Sequence, residues 1–409
     1  MLYRLKNAGF EGYLVGGGVR DMLLGREPKD FDVTTNARPE EVRSLFRNCR
    51  LVGRRFRLAH VMFGRETVEV ATFRGPGSEA DDGGVEVEEN GRIVRDNVWG
   101  TLEEDAWRRD FTVNALYYNI QDFSVVDYTG GMEDLQAGLL RTIGDSHQRY
   151  REDPVRMLRA VRFAAKIGFR LHPGAEQALF ELGHLLADVP PARLFDEVLK
   201  LFMGGCALQT FELLRHYRLF EHLFPATEVS LAVEDEGFPI MMLAQALKNT
   251  DARIAEDKPV TPAFLYAALL WEPVRLEWRR LVEEGESEQA ALVTAASNVI
   301  DRQLDSTALP RRFSTPMQEI WHLQPRLVQR RAKQIMRLAK HPRFRAAYDF
   351  MLLRGEVGEV EEAVCEWWTR YQEVDEDEQA RMIRTLSPGP RRRRGRGRRV
   401  GRQTAHGSE

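Results

Sequence analysis

The chain has 409 residues, 43% of them hydrophobic, and a formal net charge of −3, enough material for two or three domains with packed cores. Its three scattered cysteines, Cys49, Cys206 and Cys365, form no Cys-x-x-Cys pair, which excludes a disulfide framework and a cysteine zinc site. The longest apolar stretches, such as FLYAALLW at 264–271, are far too short for a transmembrane segment, and MLYRLKNAGF lacks the apolar core and cleavage site of a secretory leader, so a cytoplasmic protein is expected.

In chain order, short β-rich runs come first. YLVGG, FDVTT, RLAHVMF, TVEVATFRG, FTVNALYYNI and SVVDYTGG read as strands separated by turn signals. Helices are predicted between them over GVRDMLLG and RPEEVRSLFRN, the second with Asn36 as its cap. The acidic stretch GSEADDGGVEVEENGR at 77–92 reads as a solvated loop or hairpin inserted in this part. After about residue 145 the strand signal stops. Leu, Ala, Arg and Glu at three- and four-residue spacing take over, as in VRMLRAVRFAAKIG and PARLFDEVLKLFMGG. Strands followed by helices predict an α+β protein: a mixed head over 1–145, then an all-α remainder up to about residue 385.

The last segment, 386–409, opens with SPGP and holds RRRRGRGRRVGR, eight arginines without an acid, against an otherwise acidic chain. It reads as a disordered basic tail. One reading is a solvated or targeting appendage. The sharper reading is an RNA-binding arm in which Arg391, Arg392, Arg393, Arg394, Arg396, Arg398 and Arg399 neutralise phosphates and release counterions.

The densest chemistry lies in VGGGVRDMLLGREPKDFD at 15–32. Asp30 and Asp32 sit two apart in a strand-like run, so their carboxylates share a face and repel unless a cation lies between them. Hard divalent ions, Mg²⁺ above all and Mn²⁺ as a substitute, suit such a pair. Gly16, Gly17 and Gly18 allow backbone to approach a phosphate, and Arg20 adds positive charge on the helix that follows. Taken singly, Asp-x-Asp is often a solvent-facing turn and a glycine cluster a plain turn. Together they suggest metal-assisted phosphoryl or nucleotidyl transfer, and the spacing matches neither a P-loop nor a dinucleotide fingerprint.

Further along, Arg108, Arg109 and Asp110 lead into FTVNALYY, where a salt-bridged strand edge is the plain reading. Glu69, on the alternating VEVATFR, is a weak candidate for a supporting carboxylate, since strand glutamates are usually surface residues. In EDPVRMLRAVRF, Asp153 before Pro154 makes a good helix cap. Capping does not account for Arg156, Arg159 and Arg162, which with Asp153 recur every three residues as a spiralling polar stripe. Asp153 and Arg156 could present acceptors and donors to a base edge, with Arg159 and Arg162 toward phosphates.

These motifs resemble those of the class II nucleotidyltransferases, the family of tRNA CCA-adding enzymes and bacterial poly(A) polymerases. GG-x-VRD-x-LLG with Asp-x-Asp is similar to the first motif, RRDFTVNAL at 108–116 to the second, GGMEDL at 130–135 to the glycine-bearing hinge and REDPVRMLRAVRFAAK at 151–166 to the base-reading motif. The resemblance implies a polymerase-β-like nucleotidyltransferase head, a helical neck over 146–215 that reads the incoming base without a template, and an RNA-binding body over 216–385. It places Asp110 with Asp30 and Asp32 in the catalytic and sugar-binding set and Arg109 on the nucleotide, and implies two Mg²⁺ ions about 3.5–4 Å apart. GRRFRLAH at 53–60, LPRRFSTPMQEIWHLQPRL and KHPRFRAAYDFMLLR resemble the poly(A) polymerase branch. No His-Asp dipeptide occurs, unlike in CCA-adding enzymes that carry a metal phosphohydrolase domain. The implied activity is addition of AMP from ATP to RNA 3′ ends with release of pyrophosphate, in RNA polyadenylation and turnover, with RNA-decay proteins as partners. A CCA-adding activity is the alternative, and a non-catalytic RNA-binding platform the remote one. More residues usually precede YLVGGG in this family, which implies a start upstream of Met1.

Overall fold

The computed structural model describes residues 1–53, 57–64, 66–75, 86–87, 93–95, 98–232 and 241–386. The arginines from 391 onward, and most of the acidic stretch at 77–92, lie outside these residues. Backbone contacts divide the chain into two units, Met1–Thr315 and Pro316–Glu409.

The first unit opens with α1 (Leu2–Asn7), β1 (Gly12–Val15), α2 (Gly17–Leu23), β2 (Asp32–Thr35), α3 (Pro39–Leu45), β3 (Cys49–Val52), β4 (Leu58–Phe63) and β5 (Glu66–Thr72). A small ribbon, β6 (Glu86–Val87) and β7 (Ile93–Arg95), falls in and beside the acidic stretch. Then come α4 (Leu102–Arg108), a 3-10 turn at Thr112–Asn114, β8 (Leu116–Asn119), β9 (Val125–Asp127) and α5 (Gly131–Ala137). Seven strands form one sheet in the order β3-β4-β5-β2-β1-β8-β9. Within this sheet only the β2–β5 pairing is parallel.

Strand alternation assigns the two faces. Val33, Ala59, Val61 and Val70 point to one side, where Leu2 and Leu5 of α1 and Val42 of α3 close a core with Phe46. Val15 and Tyr117 point to the other, against Leu102 and Ala106 of α4. Each face is therefore covered by helices, but on the second the cover leaves the start of β2 in the open, since Asp32 is exposed.

Three local expectations are corrected. β2 begins at Asp32, so Asp30 lies just ahead of the strand. The strand expected from Phe111 begins at Leu116, because Thr112–Asn114 winds into a 3-10 turn first. Helix α3 is capped at Arg38, whose amide donates to Glu41 at 2.7 Å, while the Asn36 side chain accepts from the Glu11 amide at 2.9 Å.

The helical part continues with α6 (Ser146–Glu152), α7 (Val155–Ile167), α8 (Pro173–Leu182) and α9 (Pro191–Phe202), followed by further helices from Ala207 to Gln303. Among the described residues one strand survives beyond residue 145. β11 (Arg170–Leu171) pairs in parallel with β10 (Leu139–Leu140), stitching the neck to the end of the head. The second unit, in and after helix Arg311–Gln329, packs Leu327, Tyr348, Met351 and Trp368 into its own core, and the Trp368 indole donates to the Leu327 carbonyl at 2.9 Å.

Candidate active site

The site begins as a row across the sheet. Directly opposed residues project from the same face, and the pairings Tyr117–Val15, Val15–Asp32, Asp32–Glu69 and Glu69–His60 line up along one such row. The row sets Asp32 beside Glu69, and His60 holds Glu69 at 3.3 Å. Although the Asp32 side chain reaches solvent, the protein crowded around it, then the Glu69 charge, raises its carboxyl above the ordinary range, with Arg109 opposing and Asp30 adding to the rise. The weak candidate of the sequence thus stands next to the strongest one.

Gly16 is the point where several groups meet. Its φ of 76° favours glycine, and a side-chain carbon there would lie 3.7 Å from Asp32 Oδ2, 3.8 Å from Arg109 Nη1 and 3.9 Å from the Asn114 carbonyl. Arg109 reaches this point because it is braced from behind. Its Nε donates to the Tyr117 hydroxyl at 2.9 Å, and its Nη2 donates to Asp105 Oδ2 at 3.0 Å. The Tyr117 hydroxyl in turn donates to the same Asp105 oxygen at 2.9 Å. Burial works against the charged guanidinium, but Asp105 outweighs it and keeps Arg109 firmly protonated. Sequence reasoning missed Asp105 and Tyr117. The signal for the first was present, since Asp105 and Arg109 are four apart on one helix.

Arg20 and Asp110 are engaged inside the protein. Arg20 is 1% exposed; its guanidinium donates to Asp21 Oδ1 at 2.7 Å and to Asn114 Oδ1 at 2.7 Å. It therefore braces the glycine turn from within, where a charge pointing at phosphates was expected. The Asp110 carboxylate accepts from Arg159 at 2.5 and 2.9 Å and from the Asn114 amide at 3.3 Å. Burial alone would raise this carboxyl; the Arg159 charge and these hydrogen bonds hold it below the usual range. Asp110 is thus tied to Arg159 of α7.

The polar stripe of α7 is divided among partners. Asp153 Oδ1 accepts the Val155 amide at 3.3 Å, which is the capping role, while Oδ2 accepts from Arg193 of α9 at 2.7 Å. Arg156 donates from Nη1 to Glu152 and to the Arg149 carbonyl, both at 2.9 Å. Arg162 lies over the Phe163 ring at 4.5 Å, and its Nε has no hydrogen-bond partner. Burial, then Arg159, lowers its affinity for its proton. A cleft of about 290 Å³ is lined by Arg108, Arg109, Asp110, Asp153, Val155, Arg156, Arg159, Arg193 and Glu197, with Arg162 not in its wall. Arg193 and Glu197, which the sequence reading did not single out, come from α9, two helices further along the chain, so only folding brings them to this cleft.

This geometry can be set beside known proteins. Residues 12–141 match the Poly A polymerase head domain, 168–231 a probable RNA- and SrmB-binding site of polymerase A, and 284–400 the polymerase A arginine-rich C-terminus. Poly(A) polymerase I of Salmonella typhi is 51% identical over 403 residues, covering 97% of this chain and 87% of that one. The chain belongs to the poly(A) polymerase I family. Its Haemophilus influenzae relative of the same name is 47% identical over 398 residues, covering 95% and 88% of the two chains. A CCA-adding enzyme of Geobacillus stearothermophilus is 37% identical over only 223 residues, 54% of this chain and 53% of that one. The crystal structure of a Bacillus stearothermophilus CCA-adding enzyme in complex with CTP superposes with a TM-score of 0.55 at 25% identity, covering 94% of this chain and 80% of that one. A tRNA nucleotidyltransferase complexed with a primer tRNA and an ATP analogue shares the fold, with a TM-score of 0.60 at 22% identity over 91% and 99% of the chains.

Membership of the poly(A) polymerase I family carries a nucleotide substrate and use of a divalent metal. The residues present fit such an ion. Asp30, Asp32 and Glu69 offer hard oxygen donors, and their repulsion raises the Asp32 carboxyl, a cost that a cation would relieve. Among the described residues no three His, Cys, Asp or Glu side chains close into a cage. An aspartate pair that leaves positions to phosphate oxygens and water is the arrangement Mg²⁺ favours. No helix among the described residues is long and apolar enough to cross a membrane.

Proposed function

We infer that this chain is a template-independent polynucleotide adenylyltransferase: it joins the α-phosphorus of ATP to an RNA 3′-hydroxyl oxygen and releases pyrophosphate as the α–β phosphoanhydride bond breaks. The observation that carries the reading is the double position of Arg109. It approaches Asp32 over Gly16 and also lines the cleft that holds Asp153 and Arg156. One guanidinium therefore spans the carboxylate pair and the base-reading cleft, as a nucleotide lying between them requires.

In this reading Asp30 and Asp32 hold the divalent metal, Mg²⁺ or Mn²⁺, which supplies charge neutralisation at the reacting phosphate and lowers the pKa of the attacking hydroxyl. Gly16 and Gly17 leave backbone open to the triphosphate, Arg20 keeps that turn in shape, and Arg109 contacts the sugar and phosphates. Asp110 and Arg159 form the wall at the sugar end. Asp153 and Arg156 meet the base edge, Arg156 through the nitrogens that Glu152 does not use, and Arg162 supports the wall through Phe163. The arginines from 391 to 399, with the helical body, grip RNA through its phosphates. RNA 3′ ends and ATP are the partners. The setting is cytoplasmic RNA turnover, where proteins of RNA decay would meet the enzyme.

The test is extension of two labelled RNAs with Mg²⁺, an unstructured oligo(A) and a tRNA lacking its terminal CCA, each given ATP, CTP or both. Long ladders on oligo(A) with ATP alone are expected. Extension confined to the tRNA, stopping after three additions and requiring CTP, would replace this reading with CCA addition. A chain ending at residue 386 is expected to bind RNA with a flatter salt dependence. The slope of log K against log salt should shrink by about 0.7 for each phosphate of the single strand that the shortened chain leaves unneutralised. An unchanged slope in filter binding would remove the tail from the RNA site.

A further inference from the structure

A carboxylate beside a guanidinium does not by itself choose between ATP and CTP. Adenine offers its N6 amino donor next to the N1 acceptor, and cytosine its N4 amino donor next to the N3 acceptor, so Asp153 and Arg156 could satisfy either edge. Choice must then come from where the neck helix α7 holds that pair relative to the head. Two ties fix this placement, and both arise from one short segment of the head.

The first tie is a continuous chain of side chains. Asp21 holds Arg20, Arg20 donates to Asn114 Oδ1 at 2.7 Å, Asn114 Nδ2 donates to Asp110 Oδ1 at 3.3 Å, and Arg159 of α7 closes on Asp110 Oδ2. Asn114 is the one residue in it that must donate on one side and accept on the other. Its amide orientation is dictated by its neighbours, since an arginine can only donate and the ionised Asp110 can only accept. It is 7% exposed, so no water replaces either bond cheaply. The second tie is Arg26, just past α2, which donates to the Lys166 and Ile167 carbonyls at 3.3 and 3.2 Å, at the C-terminal end of α7. The glycine turn opens α2 and these two ties hold α7 from the same stretch.

We propose that Asn114 is a positioning residue for nucleotide choice: through Asp110 and Arg159 it sets α7, and with it Asp153 and Arg156, against the phosphate end of the site. This rests on the adenylyltransferase reading above. Asn114→Asp is the informative change, because it keeps the acceptor for Arg20 and the side-chain shape while turning a carboxylate against Asp110.

The experiment is single-nucleotide addition to an oligo(A) primer by the full chain, comparing kcat/KM for ATP with that for CTP. Asn114→Asp is expected to lower the ATP-to-CTP ratio on the order of tenfold, the scale of one misplaced hydrogen-bonding pair. Inhibition by inorganic triphosphate, which reports the phosphate end alone, is expected to stay at the wild-type level. A folded Asn114→Asp protein with the wild-type ratio would overturn the proposal, whatever its change in Tm. If that variant cannot be purified, Asn114→Ser, which removes both side-chain bonds without adding a charge, decides in the same way: a fall in the ratio supports the proposal and an unchanged ratio overturns it. A wild-type chain that does not extend the primer with ATP would instead overturn the adenylyltransferase reading.

Discussion

Asp32→Asn is expected to abolish AMP transfer while leaving the protein no less stable. The loss should reach about a thousandfold or more, since in the proposed mechanism the change removes an oxygen that would hold the metal at the reacting phosphate. The second half of the expectation follows from the sign of the Asp32 shift. Burial, Glu69 and Asp30 together raise its carboxyl above the ordinary value. A carboxyl raised on folding is one whose ionised form the fold disfavours at neutral pH, so a neutral amide relieves that repulsion. Thermal unfolding without metal should therefore give a Tm equal to or above that of the wild type, and binding of oligo(A) should persist. Substantial residual transfer would remove Asp32 from the metal site. A clear drop in Tm would mean that the carboxylate has a structural partner the repulsion argument overlooks.

Gly131→Ala is expected to be severely destabilising for a single added methyl group, and its neighbour provides the control. Gly130 has a φ of 78° and open space around it, whereas a side-chain carbon on Gly131 would fall 2.3 Å from the Thr112 carbonyl oxygen. Gly130→Ala thus meets only the left-handed backbone penalty, about 1 kcal/mol. Gly131→Ala must push α5 away from the turn at Thr112–Asn114, with a cost of about 3 kcal/mol or more. That turn follows Asp110 and contains Asn114, so activity should fall with stability in Gly131→Ala and remain in Gly130→Ala. Urea denaturation of the two variants separates the effects, and equal losses would refute the close-approach argument. The pair GG in GGMEDL thus combines two requirements, one for backbone rotation and one for the absence of a side chain.

The candidate residues that lie in one contiguous motif were legible in the sequence, and the way the fold assembles them was not. Asp30, Asp32 and the glycine turn could be read together because they occupy one short stretch. Arg109, Asp153 and Arg156 could be read because their motifs are also contiguous. Glu69 looked like an ordinary surface glutamate, since its value depends on a pairing with β2 that no local pattern encodes. Arg20 illustrates the converse error. Next to a glycine turn an arginine suggests a phosphate contact, yet this one is buried against Asn114 and Asp21, and burial of a charge is set by what packs over it. Asp110 likewise reads as a third carboxylate until α7 arrives with Arg159. The strands and helices themselves followed periodicity well. The exceptions were whole short elements that were not read, α1, β3, α4 and α5, and some edges, where Asn36, the 3-10 turn after Phe111 and the short β11 answer to contacts from distant residues.

The parallel pairing of β2 with β5 has a consequence for how the enzyme comes into being. Parallel neighbours cannot be joined by a tight turn, and here α3, β3 and β4 all intervene between Asp32 and Glu69. The repelling carboxylates therefore meet only after that whole crossover has folded back, a non-local closure that is slow compared with winding a helix. Asp32 and Glu69 are therefore expected to come together in a late step of folding, after the local elements have formed. Recovery of activity on refolding should accordingly lag behind recovery of helical signal, with divalent cations favouring the last stage by binding only what that stage creates.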